Sequence, residues 1–164
     1  MSQHDFLSAN AALSATDVLD VDAMQLLFKV ECSGEDFYNQ LADRVGNDEA
    51  AVLLRRNGRE ELGHARRIQR AIALKSGQPF EPTGELLERF EIPLPAVVSP
   101  ELFPVIIQAE VQGDAGYQRW ADAEPDPEVA RLLRLNGREE TVHANRAREA
   151  LALLEASQPS DQPS

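Results

Sequence analysis

Two stretches of this chain repeat each other at a constant offset of 79 residues. Glu31, followed thirty residues on by Glu61-Leu62-Gly63-His64, returns as Glu110 followed by Glu140-Thr141-Val142-His143. The copy extends outward: Asn57-Gly58-Arg59-Glu60-Glu61 recurs as Asn136-Gly137-Arg138-Glu139-Glu140, and Gly34, Tyr38, Ala42 and Asp43 recur as Gly113, Tyr117, Ala121 and Asp122. A repeat of this length is one supersecondary unit used twice, so whatever the first half folds into, the second half folds into as well.

Hydrophobic periodicity identifies that unit as a pair of helices. Met24, Leu27, Phe28, Glu31, Tyr38, Leu41 and Val45 share one stripe of helical period, with Asp20 or Asp22 placed to cap it. Gly46-Asn47-Asp48 interrupts the stripe as a tight connection, and a second helix then runs from about residue 48 to 75, ended by Ser76-Gly77 with Pro79 beyond. Residues 76–99 are proline-rich and carry the chain to the second pair, with a short helix expected near Gly84–Phe90. Helix three is expected from about Pro100 to Asp122 and helix four from beyond Pro127 to about Ala156. Short connections make each pair an antiparallel hairpin. The expected fold is therefore all-α: an antiparallel four-helix bundle over residues 20–156, with hairpins 20–75 and 100–156 joined by a long crossover, 76–99. Residues 1–19 hold either a short helix around Phe6 or nothing ordered, and 157–164 form a flexible polar tail.

Residues three apart on a helix lie one turn apart on the same face. Glu61 and His64 can thus aim at one point, as can Glu140 and His143, and in an antiparallel hairpin Glu31 or Glu110 sits beside its own Glu-x-x-His pair. A lone Glu-x-x-His is usually solvated surface. Here it falls on the stripe Leu54, Asn57, Glu61, His64, Ile68 and Ala71, and again on Leu133, Asn136, Glu140, His143, Ala147 and Ala150, so both copies face inward. Four carboxylates in a core are strongly destabilising unless metal, protons or each other neutralise them. Carboxylates that bridge two ions, with one imidazole ending each ion's coordination, make an oxygen-rich donor set that suits iron or manganese better than zinc.

On these residues the chain resembles the ferritin-like di-iron carboxylate superfamily, most closely its rubrerythrin-like branch, over about residues 20–155. That superfamily takes one Glu from each of two helices and a Glu-x-x-His from each of two others. The resemblance implies Glu31, Glu61 and His64 as one half-site and Glu110, Glu140 and His143 as the other, with Glu61 and Glu140 bridging and Glu31 and Glu110 terminal. It also implies two iron ions, or manganese, as cofactor. Two departures stand out. Rubrerythrin-type sites carry a further Glu where this chain has Gly113, and the cysteine-rich rubredoxin module has no counterpart here. The hairpin pattern is also similar to encapsulated ferritins, although residues 157–164 show no docking peptide.

Around this set, Tyr38 and Tyr117 lie two turns after Glu31 and Glu110, placed either to hydrogen-bond a ligating carboxylate or supply an electron, or simply to pack as core tyrosines. Asn57 and Asn136, one turn before Glu61 and Glu140, are expected to orient them within unbroken helices. Gly34 and Gly113 either leave room for oxygen or peroxide or let helices pack closely. Glu35 and Asp114 read as edge ion pairs or extra ligands, Arg55-Arg56-Arg59 and Arg66-Arg67-Arg70 as solvated faces, Cys32 as packing and His4 as irrelevant.

Three functions compete. The leading one is a di-iron oxidoreductase that oxidises ferrous iron or reduces hydrogen peroxide or oxygen, drawing on an electron donor the sequence does not name. The second is a non-catalytic iron-binding or storage-delivery module, and the third a structural bundle with a relic site. A net charge of −12 argues against nucleic acid as partner. The absence of a long apolar run argues against a membrane span, and the lack of a basic-then-apolar start together with a single cysteine leads us to expect a cytoplasmic protein. A homodimer, with or without swapped hairpins, stays open.

Overall fold

The computed structural model describes residues 5–159; His4 and most of the polar tail lie outside the described residues. Five α-helices form, α1 (Phe6–Ser14), α2 (Val21–Arg44), α3 (Asp48–Ser76), α4 (Phe103–Ala123) and α5 (Pro127–Ala156), with two 3-10 turns at Gly84–Leu87 and Pro100–Leu102. No strand occurs among the described residues.

Local chemistry sets the boundaries. Asp20 accepts from the Ala23 amide at 2.8 Å and starts α2, Asn47 accepts from the Ala50 amide at 2.9 Å and starts α3, and Asp126 starts α5 with Pro127 in its first turn. Gly46 and Gly77 take φ of 67° and 69°, a region closed to most side chains, which permits the α2–α3 turn and the end of α3. The segment expected to hold a helix near Gly84–Phe90 makes only the single 3-10 turn. Prolines at 93 and 95 remove amide donors, and residues 88–99 form no helix.

α2 packs along α3 and α4 along α5, while α3 and α5 lie against each other between them. Asn57-Gly58 and Asn136-Gly137 do not break α3 or α5. Their glycines serve close approach instead: a Cβ on Gly58 would stand 3.1 Å from Tyr38 Cβ, and one on Gly137 would stand 2.9 Å from Tyr117 Cβ.

The interior has three layers. One apolar cluster gathers Met24, Leu27, Ile68, Ile72, Trp120 and Leu133, and the other gathers Leu41, Leu54, Phe103, Ile106, Ala147 and Leu154. Tyr117 belongs to the first and Tyr38 to the second. Between them lies a polar layer of Glu31, Asn57, Glu61, His64, Asn136, Glu140 and His143, every one buried. Emptying Leu54 or Leu133, both fully buried, to alanine would cost roughly 2–5 kcal/mol.

Candidate metal centre

The polar layer converges on two imidazoles. His64 and His143 stack with ring centroids 5.2 Å apart and planes 16° from parallel, and both are completely buried. Around His64 Nδ1 stand Glu31 Oε2 at 3.4 Å, Glu61 Oε2 at 3.3 Å and Glu140 Oε1 at 3.4 Å. Around His143 Nδ1 stand Glu140 Oε2 at 3.3 Å, Glu61 Oε1 at 3.4 Å and Glu110 Oε2 at 3.9 Å. Glu61 and Glu140 each turn one oxygen toward each ring. They are the shared members of two groups whose donor atoms all lie within 4.8 Å of one another: Glu31, Glu61, His64 and Glu140, and Glu61, Glu110, Glu140 and His143. All six residues singled out in the sequence meet here.

The two Nδ1 atoms have no hydrogen-bond partner of acceptable geometry, and they are the buried side-chain polar atoms so orphaned among the described residues. A buried nitrogen surrounded by oxygens it does not bond is costly unless something sits among them. The donor set fits a metal: each group offers one nitrogen and three carboxylates, and the two groups share Glu61 and Glu140.

Electrostatics agree with that fit. Burial, and next the charge of Glu61, raise Glu31 to about 8. Burial, and next Glu140, raise Glu110 well above its usual range. Burial also presses Glu61 and Glu140 upward, but the imidazoles outweigh it and hold both low. Burial disfavours charge on the imidazoles, yet the carboxylates around them win, holding His64 well above its usual value and His143 at about 10. Glu31 and Glu110 are thus pushed toward their neutral forms, while Glu61 and Glu140 are held toward charge by the imidazoles and the imidazoles toward charge by the carboxylates.

The other face of each imidazole is held by residues that helical phase alone does not flag. His64 Nε2 meets Glu139 Oε2 at 3.0 Å, and His143 Nε2 meets Glu60 Oε2 at 3.2 Å. Arg67 grips Glu139 with two bonds of 2.8 and 2.9 Å and also donates to Asn136 Oδ1 at 3.1 Å. Arg146 grips Glu60 at 2.5 and 3.0 Å and donates to Asn57 Oδ1 at 3.0 Å. His64, followed by Arg67, holds Glu139 down at about 2. A carboxylate on Nε2 fixes the proton there and leaves Nδ1 as the ligating atom. Helical phase does not point to Glu60, Arg67, Glu139 or Arg146, and Arg67 is half-buried against Glu139 where a solvated face is expected. The signal was in the repeat: 60 and 139, and 67 and 146, keep the same offset of 79.

One other assignment shifts. Asn57 and Asn136 do not orient Glu61 and Glu140; they donate to the backbone carbonyls of His143 at 3.1 Å and His64 at 3.3 Å, stitching α3 to α5. Tyr38 and Tyr117 do bond terminal carboxylates, but crosswise: Tyr38 donates to Glu110 and Tyr117 to Glu31. Each tyrosine thus ties one hairpin to the other. Glu35 pairs with Arg89 at 3.3 Å, and Asp114 accepts from Thr141 at 2.6 Å and from Gln118 at 2.9 Å, so neither faces the centre. Cys32 is half-buried and packs against the first apolar cluster.

Comparison with protein-family models, curated proteins and solved structures finds no match. The helices pack as an all-helical protein with a buried Glu/His cluster able to hold metal. No helix among the described residues is long and apolar enough to cross a membrane.

Proposed function

We propose that this chain is a ferritin-like di-iron carboxylate protein, α2–α5 being its four-helix bundle of two hairpins, and that it acts as an oxidoreductase of the rubrerythrin-like kind. Its substrates in this reading are ferrous iron and an oxidant, oxygen or hydrogen peroxide. The observation that carries it is the pair of shared carboxylates, Glu61 and Glu140, each presenting one oxygen to each of two unsatisfied imidazole nitrogens. Iron or manganese suits this oxygen-rich set better than zinc.

Bound at the centre, iron supplies the one-electron chemistry that protein side chains lack. The chain's own groups prepare the place. Glu60 and Glu139, locked by Arg146 and Arg67, keep the proton of each imidazole on Nε2 and aim Nδ1 inward. Tyr38 and Tyr117 hold Glu110 and Glu31, and apolar layers flank the cluster on two sides. Gly34 gives Glu61 its room, since a Cβ there would lie 3.1 Å from the Glu61 carboxyl carbon.

The test is to load metal-free chain with ferrous iron under nitrogen and then admit air or peroxide. The proposal predicts two irons per chain, a new near-ultraviolet absorption on oxidation, and steady peroxide consumption when a reductant is present. Stoichiometric iron with no turnover would point to a binding or delivery module instead. No absorption change in folded, iron-exposed protein would reject the di-iron reading.

A further inference from the structure

α2 and α4 do not pack along each other as the other neighbouring helices do. They are bridged by the crossed tyrosine–glutamate bonds, and beside those bonds a cavity of about 650 Å³ opens. Its floor is the candidate metal centre: Glu31, Glu61, Glu110 and Glu140 all reach it. Its walls are apolar, with Leu13, Leu27, Phe37, Ile106 and Trp120 among them. α1 forms one side, held in place by Phe6 stacked on Phe37 at 5.4 Å and by the Trp120 indole donating to the Thr16 carbonyl at 2.7 Å.

Oxygen or peroxide needs no such space, since a water-sized molecule takes roughly 30 Å³. The volume instead falls in the range, roughly 300–1,000 Å³, of sites for small organic molecules, which are apolar with a few polar groups that fix orientation. One such group stands at the mouth. Arg119 lines the cavity, is exposed, and forms no ion pair among the described residues; its one hydrogen bond goes to the Ser14 carbonyl at 3.2 Å. In a chain of net charge −12, a guanidinium left without a carboxylate partner beside an apolar cavity is a fitted receptor for an anionic head. From Glu110 to Arg119 the helix rises roughly 14 Å at about 1.5 Å per residue, the reach of a medium-length alkyl chain.

We propose that this cavity binds an amphipathic organic monocarboxylate, its head on Arg119 and its apolar tail lying along the cavity toward the glutamate–histidine cluster. The binding rests on the cavity and the arginine and does not require metal, so it stands or falls apart from the proposed redox function.

Trp120, the chain's only tryptophan, lines the cavity and reports on it directly. Dodecanoate added to the full metal-free chain should give a saturable change in its emission with one ligand per chain, matched by calorimetry. Ala109 lines the cavity from an exposed position of α4, so Ala109→Phe should fill the space without unfolding the helix and weaken binding at least about tenfold. Arg119→Gln should weaken dodecanoate about tenfold while leaving dodecanol unchanged. No saturable binding, equal binding by Ala109→Phe with unchanged helicity, or equal affinity of dodecanoate for Arg119→Gln and the parent would each overturn the proposal.

Discussion

Superposed in the mind through the offset of 79, the two halves agree at the centre and diverge toward the surface. The inner contacts come in pairs. Tyr38 to Glu110 answers Tyr117 to Glu31, Arg146 on Glu60 answers Arg67 on Glu139, and Asn57 on His143 answers Asn136 on His64. Even the surface pair Arg55–Asp43 at 2.6 Å has its counterpart in Arg134–Asp122 at 2.6 Å. Elsewhere at the surface the halves differ: α1 packs chiefly on α2 and has no counterpart in the second half, Glu35 meets Arg89 where Asp114 meets Thr141, and Glu110 is more exposed than Glu31. Nearly every paired inner bond crosses from one hairpin to the other. The symmetry is therefore a property of the interface, because each half completes the other's histidine and terminal carboxylate. The periphery carries no such demand.

The comparison breaks most sharply if a shared carboxylate is removed. Glu61→Gln or Glu140→Gln should each abolish both metal ions, because each residue faces both imidazoles. Glu31→Gln or Glu110→Gln should cost only one ion, which elemental analysis of the loaded variants would separate. Equal losses from all four would mean that the halves do not share ligands.

Next in size, Arg67→Ala and Arg146→Ala should each lower metal affinity by roughly ten- to a hundredfold, and by similar factors, since they brace equivalent imidazoles through Glu139 and Glu60. Competition with a chelator would measure it. A large effect from one and none from the other would show that only one half-site is braced.

The glycines probe where the halves differ. Gly34→Ala drives a Cβ to 3.1 Å from the Glu61 carboxyl and should weaken metal binding, whereas Gly113→Ala makes an ordinary 3.5 Å contact with Glu140. With helix propensity in its favour, Gly113→Ala should raise stability by about 0.5–1 kcal/mol in thermal or urea unfolding. A stabilised Gly34→Ala with unaltered metal affinity would contradict the packing described here.

Much of this was legible in the sequence, and for a specific reason. The helical stripe carries Glu61 and His64 between Leu54 and Ile68, so inward orientation follows from phase alone, and the structure buries both. All-helical structure follows from the same stripe. What phase cannot show is a partner on another helix. Glu60 and Glu139 lie about 100° off the stripe beside Glu61 and Glu140 and so read as solvent-facing. They join the centre only because α3 and α5 lie close enough for each histidine to find the other helix's carboxylate. The tyrosines show the same limit: spacing places each near the carboxylates but not which one it bonds, and in the fold each reaches the glutamate of the other hairpin. A short helix around Phe6 is one of two readings of the sequence and α1 forms there, capped by Asp5, but the cavity it borders depends on contacts between segments far apart in the chain, for which no local spacing gives a sign.

The most direct test is a titration of the metal-free chain with ferrous or manganous ion at pH 7, counting metal and released protons together. Glu31, Glu110, His64 and His143 are all pushed toward their protonated forms and must be free of those protons to ligate, so two ions should bind and protons should be released as they do. The same linkage makes affinity fall as pH falls. Folded chain that binds no metal, or binds it without releasing protons, would contradict a paired centre built from these six residues.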